Sequence, residues 1–284
     1  MSSIGIITRT KNRPTLLRRA LQSVVKQSFA NWKLVVVNDG GAAGPVDQLI
    51  AELPQSCREK IQVVHHTESK GMEAASNVGL ARLQTDYVLI HDDDDSLHPE
   101  FCQQTVGYLD NPPHPRVRGV VTGTERVIER VRGDTVRELK RFRYNRELRT
   151  VELRRMLAGN VFAPIAFVFS REACEELGGF REDLPVLGDW EYNVRFLQRY
   201  EIGVIPGVLA YYHDRDRRSD EGYASSMTSK ARLHEFYGSF LRNEWLREDL
   251  SNKRPGIGLI ASVSPQLISI HEKLRNPLRL LFKW

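Results

Sequence analysis

Four consecutive aspartates, Asp92, Asp93, Asp94 and Asp95, follow an apolar run in YVLIHDDDDSLHP (87–99). Like charges this close repel one another, so a fold that keeps them together needs a counter-charge. A hard divalent cation such as Mg²⁺ or Mn²⁺ suits them, because it takes oxygen ligands, often one or two carboxylates completed by substrate phosphates. The competing reading is an acidic surface turn in which Asp95 or Ser96 caps the helix that includes Pro99 and Glu100. Three further polar segments end apolar runs in the same way: TRTKNR (8–13), NDGG (38–41) and HTESKG (66–71).

The elements that position these segments alternate. IGIIT (4–8), KLVVVND (33–39), IQVVHH (61–66) and DYVLIHD (86–92) read as buried strands. RPTLLRRALQSVVKQ (13–27) and GMEAASNVGLARLQ (71–84) read as helices, with Pro14 in a first turn. This alternation predicts an α/β fold with a mostly parallel central sheet flanked by helices. In such a sheet ligands bind beyond the carboxyl ends of the strands, which is where all four polar segments fall. The dinucleotide pattern G-x-G-x-x-G and the phosphate-loop pattern G-x-x-x-x-G-K-[ST] are both absent from the first turn.

After the breaker DNPPHP (110–115), residues 117–144 read as two strands around Gly133-Asp134. A helix near 150–158, a strand IAFVFS (165–170), a helix REACEELG (171–178) and a helix LGDWEYNVRFLQRY (187–200) follow, the last with Asp189 at its N-terminal edge. IGVIP and GVLAYYH read as two apolar pieces leading into the charged run HDRDRRSDEG (213–222), and 224–250 as helical.

The chain has 284 residues, 41% apolar and 27% charged, which is ordinary globular material. Cys57, Cys102 and Cys174 are odd in number and in no ligand spacing, which favours reduced thiols in a cytoplasmic protein. No uninterrupted apolar stretch reaches the roughly 18–20 residues of a spanning helix, and the start has no signal-peptide pattern. The formal charge of +5 resides entirely in residues 253–284, which hold six Lys/Arg and the single acid Glu272. That location removes the case for a nucleic-acid partner. The tail reads either as attachment to an anionic membrane surface at the inner face or as a helix packed on the domain.

IITRTKNRPTLLRRALQSVVKQSFANWKLVVVNDGG, ASNVGLARLQTDYVLIHDDDDSLHPEF and GGFREDLPVLGDWEYNVRF together resemble, in order, three successive blocks of family 2 glycosyltransferases, inverting enzymes of the GT-A fold. The resemblance covers about residues 3–213. It implies a nucleotide-diphosphate-sugar donor and a glycan or lipid-linked acceptor of the surface-polysaccharide or lipopolysaccharide type. It implies a glycosyltransferase domain over 1–222, divided into a donor half (1–105) and an acceptor half (106–222), with a helical, basic extension over 223–284. Thr8, Arg9, Thr10 and Arg13 in the first loop, Asp39 in NDGG, and Lys70 would face the donor. The D-x-D pattern falls on Asp92-Asp93-Asp94, so that Asp92 and Asp94 would hold Mn²⁺ or Mg²⁺ and Asp93 would face the ribose or sugar. Asp95 is left to cap the next helix. His213 would add a metal or diphosphate contact.

Direct displacement at an anomeric carbon needs a stabilised leaving diphosphate and a base for the acceptor hydroxyl. The metal meets the first need and Asp189 the second; the plain alternative for Asp189 is a helix N-cap. Where most relatives carry Glu-Asp, this chain has Gly188-Asp189, which touches acceptor positioning more than catalysis. Lys70 is equally readable as a solvated lysine. Arg215, Arg217 and Arg218 read as a diphosphate clamp or, alternating with Asp214, Asp216 and Asp220, as a solvated loop. His65, His66 and His91 lack zinc-ligand spacing and count as structural. Trp190 either stacks on a sugar or packs beneath the site. The rival functions are a sugar nucleotidyltransferase, which would want a glycine-rich loop after the first strand, and a non-catalytic nucleotide- or glycan-binding relative.

Overall fold

Four apolar segments pair side by side, and their parallel register places every polar strand end on one rim. A computed structural model describes residues 2–146, 148–220, 223 and 231–265. In it β1 (Ile4–Thr10), β2 (Trp32–Asp39), β3 (Ile61–His66) and β4 (Tyr87–Asp92) run parallel in the order β3-β2-β1-β4. In β2 Leu34 and Val36 enter one apolar core while Val35 and Val37 enter another, as the period of two requires. The strands are covered by α1 (Pro14–Val25), α2 (Ala43–Ala51), the single turn α3 (Gln55–Arg58) and α4 (Met72–Arg82). Leu17, Leu21 and Val24 of α1 pack with Ile4 and Ile6 on one face, and α4 lies on the other. There Gly79 sits so close to Ile7 that any Cβ would collide with that side chain.

The chain continues through β5 (Ser96–Leu97), α5 (Phe101–Asp110), β6 (Val117–Arg132), β7 (Thr135–Arg143), α6 (Leu153–Ala158), β8 (Phe167–Ser170), α7 (Arg171–Glu176), α8 (Gly188–Arg199), β9 (Glu201–Arg215) and α9 (Ala231–Ser251). β8 adds antiparallel to β4, then β6, β9 and β5 follow, with β7 paired to β6. The two apolar pieces expected after residue 200 form the single strand β9. Its partner β6 is long enough to support it, and register shifts around Thr122–Thr124 absorb Pro206 and Gly207. β9 therefore runs on through His213, Asp214 and Arg215, all buried, where a charged loop was expected.

Leu241 and Trp245 of α9 join the core that holds Trp190 and Phe196. Residues 257–265 form a further helix that crosses α9 at Gly258, with Ala261 buried in that same core. This part of the tail packs on the domain. Lys253 and Arg254 are exposed, and the expectations for 224–230 and 266–284 lie outside the described residues. No helix among the described residues is long and apolar enough to cross a membrane.

Candidate active site

The aspartate turn joins β4 to β5, and β5 pairs with β9, so the turn is held from both sides. Its carboxylates do not stand alone. Arg9, at the end of β1, forms a two-pronged pair with Asp92, Nε to Oδ1 at 2.8 Å and Nη2 to Oδ2 at 2.9 Å. Asp93 is fully buried and accepts from Thr10 Oγ1 at 2.7 Å and from Arg13. Asp94 accepts from Arg13 and from Arg215. Burial raises Asp94, but the guanidiniums of Arg13 and Arg215 outweigh it and hold the carboxyl well below its ordinary range. Burial pushes Asp93 up to about 6 against the pull of Arg13.

Asp95 corrects an expectation. The helix α5 begins after Glu100, far from Asp95, and has no side-chain cap. Asp95 instead accepts the backbone N–H of His213 at 2.9 Å, pinning β9 to the turn. Burial, with Asp94 and Asp92 alongside, raises its carboxyl well above the usual range. Arg215 corrects another, since its reading as part of a solvated loop gives way to a buried guanidinium on Asp94. His213 lies beside the turn but directs its ring elsewhere, Nε2 to Ser96 Oγ at 2.8 Å and Nδ1 to Glu129 at 3.0 Å. Thr8 hydrogen-bonds His91 within the sheet at 3.0 Å.

At the end of β2, Asp39 accepts four donors: His66 Nδ1 and the Lys70 N–H at 2.8 Å, Ser69 Oγ at 2.6 Å and the Gly71 N–H at 3.0 Å. These fill about four lone-pair positions of a carboxylate and outweigh burial to lower its pKa. Asp39 thus folds the 66–71 loop, and the Lys70 side chain is exposed on it.

Asp189 sits in the first turn of α8, whose N-cap is Leu187 with no side-chain bond, so the N-cap reading fails. Its carboxylate accepts from Asn160 Nδ2 at 2.7 Å, and Asn160 accepts in turn from Asn193 at 2.9 Å. Burial raises the Asp189 pKa, against the Trp190 N–H and the Arg9 charge. Asp189 shares a narrow recess with Arg9, Glu73, Tyr192 and Asn193. Trp190 is core, with Nε1 donating to the Met156 carbonyl at 2.6 Å and its ring packed on Trp245, so sugar stacking is excluded for it.

A sequence model of the family described as Glycosyl transferase family 2 matches residues 5–178, more than half of the chain. The chain belongs to glycosyl transferase family 2. Among curated relatives it is 25% identical over 210 residues to the uncharacterized glycosyltransferase YwdF of Bacillus subtilis, covering 74% of this chain and 73% of that one. It is 32% identical over 106 residues to the putative teichuronic acid biosynthesis glycosyltransferase TuaG of the same species, over 37% of this chain and 41% of that one. Its fold is similar to a mannosyltransferase, PcManGT from Pyrobaculum calidifontis, solved with GDP-Man and Mn²⁺ (TM-score 0.61, 20% identity, 94% of this chain and 70% of that one). It is also similar to residues 1–349 of S. aureus TarS solved with UDP-GlcNAc (TM-score 0.59, 18% identity), of which it spans 59% while 75% of this chain is covered. The fold is GT-A, with its sheet curled and flanked by helices.

Set in that family, the turn has the donors a hard cation needs. Asp92, Asp94 and Asp95 each offer an oxygen, all within 4.8 Å of one another. His213, expected to add a metal or diphosphate contact, is not among these three oxygens. Burial raises Asp93 and Asp95, and the neighbouring carboxylates add to the rise; the fit to Mg²⁺ or Mn²⁺ rests on the three converging carboxylate oxygens. Residues that sequence reasoning passed over complete the site. Arg19 of α1 reaches the Asp94 carbonyl and Glu129. Glu129, buried in β6, also receives His213. Glu73, buried in α4, accepts from Arg9 Nη1 at 3.1 Å, and burial raises it to about 7 despite that arginine. For Arg19 and Glu129 the available signal was a charge on an otherwise apolar face.

Proposed function

We propose that this family 2 glycosyltransferase moves a sugar, with inversion, from a nucleotide-diphosphate sugar to a hydroxyl of a glycan or lipid-linked acceptor. In this reading residues 1–105 serve the donor, 106–222 the acceptor, and 223–284 are an extension, helical over 231–251 and 257–265 among the described residues. The observation that carries it is the position of Arg9. One guanidinium grips Asp92 of the acidic turn and opens on the recess of Asp189, so donor-side and acceptor-side carboxylates meet across a single side chain.

The acceptor hydroxyl gives its proton to the Asp189 carboxylate as its oxygen bonds to the anomeric carbon, and the bond from that carbon to the diphosphate breaks. Asn160 orients the base, and its raised pKa makes it a stronger one. Asp94, with Asp92 and Asp95, would hold Mn²⁺ or Mg²⁺, which when bound supplies electrostatic stabilisation of the leaving diphosphate. Arg13 and Arg215 lie on the same carboxylates and are placed to exchange them for phosphate oxygens. Thr8 and Thr10 set the floor of the donor site, Asp93 faces the ribose or sugar, and Asp39 offers the nucleotide the loop bearing Lys70. His213 acts through the turn it pins rather than as an ion ligand.

Nucleotide sugars on the two structural neighbours, and the teichuronic acid role in TuaG's name, support a nucleotide-sugar donor and a surface-polysaccharide setting. The free cysteines fit a cytoplasmic site of action. The basic tail would meet an anionic membrane at its inner face; deleting 266–284 should then abolish liposome binding while donor turnover persists. The deciding experiment is a thermal-shift panel of uridine, thymidine and guanosine diphosphates with and without Mn²⁺, followed by sugar release with the matching donor. A metal-dependent shift with release supports transfer. A shift without release points to a non-catalytic binding protein, and no shift with any nucleotide overturns the proposal.

A further inference from the structure

Gly188 precedes the candidate base, and its missing side chain has a specific occupant. A Cβ built on Gly188 would fall within 2.5 Å of Glu73 Cγ, Cδ and Oε1. Glu73 comes from α4, on the donor half, and is buried. Its carboxylate lies against Gly188, where the Gly188 N–H, one of the donors that the first turn of any helix leaves unpaired, acts to lower its pKa. The N-cap residue of α8, Leu187, provides no such bond, and its backbone is left-handed at φ 66° and ψ 15°. That conformation is strained for a residue with a Cβ and persists only where neighbouring contacts over-determine it. Glu73 supplies one of these contacts from outside the helix. Its other partner is Arg9, whose remaining prongs hold Asp92.

We propose that Glu73 is a positioning residue for Asp189: from α4 it fills the space left by Gly188, caps the first turn of α8, and ties that turn through Arg9 to the donor carboxylate Asp92. A buried carboxylate is thereby delivered beside the candidate base from a different element, and positions 73 and 188 are interdependent. A carboxylate at 73 requires glycine at 188. The inference rests on the transfer reading above, because positioning matters only if Asp189 takes a proton.

The test moves the carboxylate. Glu73→Ala, Gly188→Glu and the double variant are compared with the full wild-type chain. Release of nucleoside diphosphate from UDP-, dTDP- and GDP-sugars is followed with Mn²⁺, alongside nucleotide Kd and thermal melting. Displacement of a catalytic group by about 1 Å costs on the order of 10²-fold in rate. Each single variant is therefore expected to lose about that much kcat while nucleotide Kd stays within about twofold. The double variant is expected to regain at least about tenfold of the loss. Gly188→Ala should lower Tm in the Glu73 chain and not in the Glu73→Ala chain. Wild-type kcat in Glu73→Ala, or strictly additive losses in the double variant, overturns the inference and leaves the transfer reading intact. A wild-type chain that releases no nucleotide from any donor overturns the transfer reading itself.

Discussion

The two carboxylate sites joined by Arg9 are built on opposite principles. At the aspartate turn, Arg9, Arg13 and Arg215 press charged hydrogen bonds onto three consecutive side chains, and Arg19 adds one to a carbonyl. At the start of α8, Asp189 has the neutral amide of Asn160 and the backbone N–H of Trp190, with the Arg9 charge nearby. The first site holds Asp94 ionised far below its ordinary range although burial raises Asp93 and Asp95 beside it, whereas the second raises its one candidate base, Asp189. Charge compensation suits a place that must hold a cation and a diphosphate. Weak compensation suits a place that must take a proton. In the proposed reading one sheet rim serves two chemistries because its partners differ, not its carboxylates.

The sharpest way to break this contrast is to neutralise each site. Asp189→Asn keeps size and hydrogen bonding but removes the base, so turnover should fall by about 10²–10⁴-fold with nucleotide Kd unchanged. Normal turnover in Asp189→Asn would remove the base assignment. Asp94→Ala should do the reverse and erase the Mn²⁺-dependent thermal shift with the nucleotide. It should also destabilise the apo chain by on the order of 3–5 kcal/mol, because it strands the buried charge of Arg215. Melting without ligand measures the second effect apart from the first.

How much of this was readable in the sequence follows from range. The four strands and their shared rim came from local periodicity, since IGIIT (4–8) and LVVVND (34–39) are buried on both faces. The acidic turn and Asp189 were readable because each lies in a contiguous pattern. Glu73, Arg19 and Glu129 were not, because their meaning depends on partners at least 64 positions away: Glu73 is 64 from Arg9, and Glu129 is 110 from Arg19. Arg215 was left between a clamp and a solvated loop for a related reason. A charged run such as HDRDRR has no hydrophobic period, and only pairing of β9 with the long β6 continues the strand through it. Asp95 was assigned to a local cap, and lost to a tertiary one at 118 residues' separation.

Glu73, which links the two sites, gives the contrast a pH signature. Its carboxyl is raised from 4.5 to about 7, burial outweighing Arg9, with Asp189 and Asp92 adding to the rise. Between those values the folded chain keeps a proton that the unfolded chain releases, so this group lowers stability as pH rises through the window. Glu73→Gln removes the slope. The stability of the wild type relative to that variant should therefore fall by on the order of 3 kcal/mol from pH 4.5 to pH 8. Parallel curves from denaturant titration across this range would show that Glu73 ionises freely.

The smallest effect tests the weakly compensated side directly. Asn160 donates to the charged form of Asp189 at 2.7 Å, and its own carbonyl is held by Asn193. Asn160→Ala removes that donor while leaving the base in place, which disfavours the carboxylate and moves the Asp189 pKa further up. A hydrogen bond to a charged group contributes about 1.5–3 kcal/mol, equivalent to roughly 1–2 pH units. The acid limb of kcat should shift upward by about that amount, and turnover well above the limb should change far less. An unchanged acid limb would mean that solvent replaces the amide, and that Asp189 is as well compensated as the aspartates across Arg9.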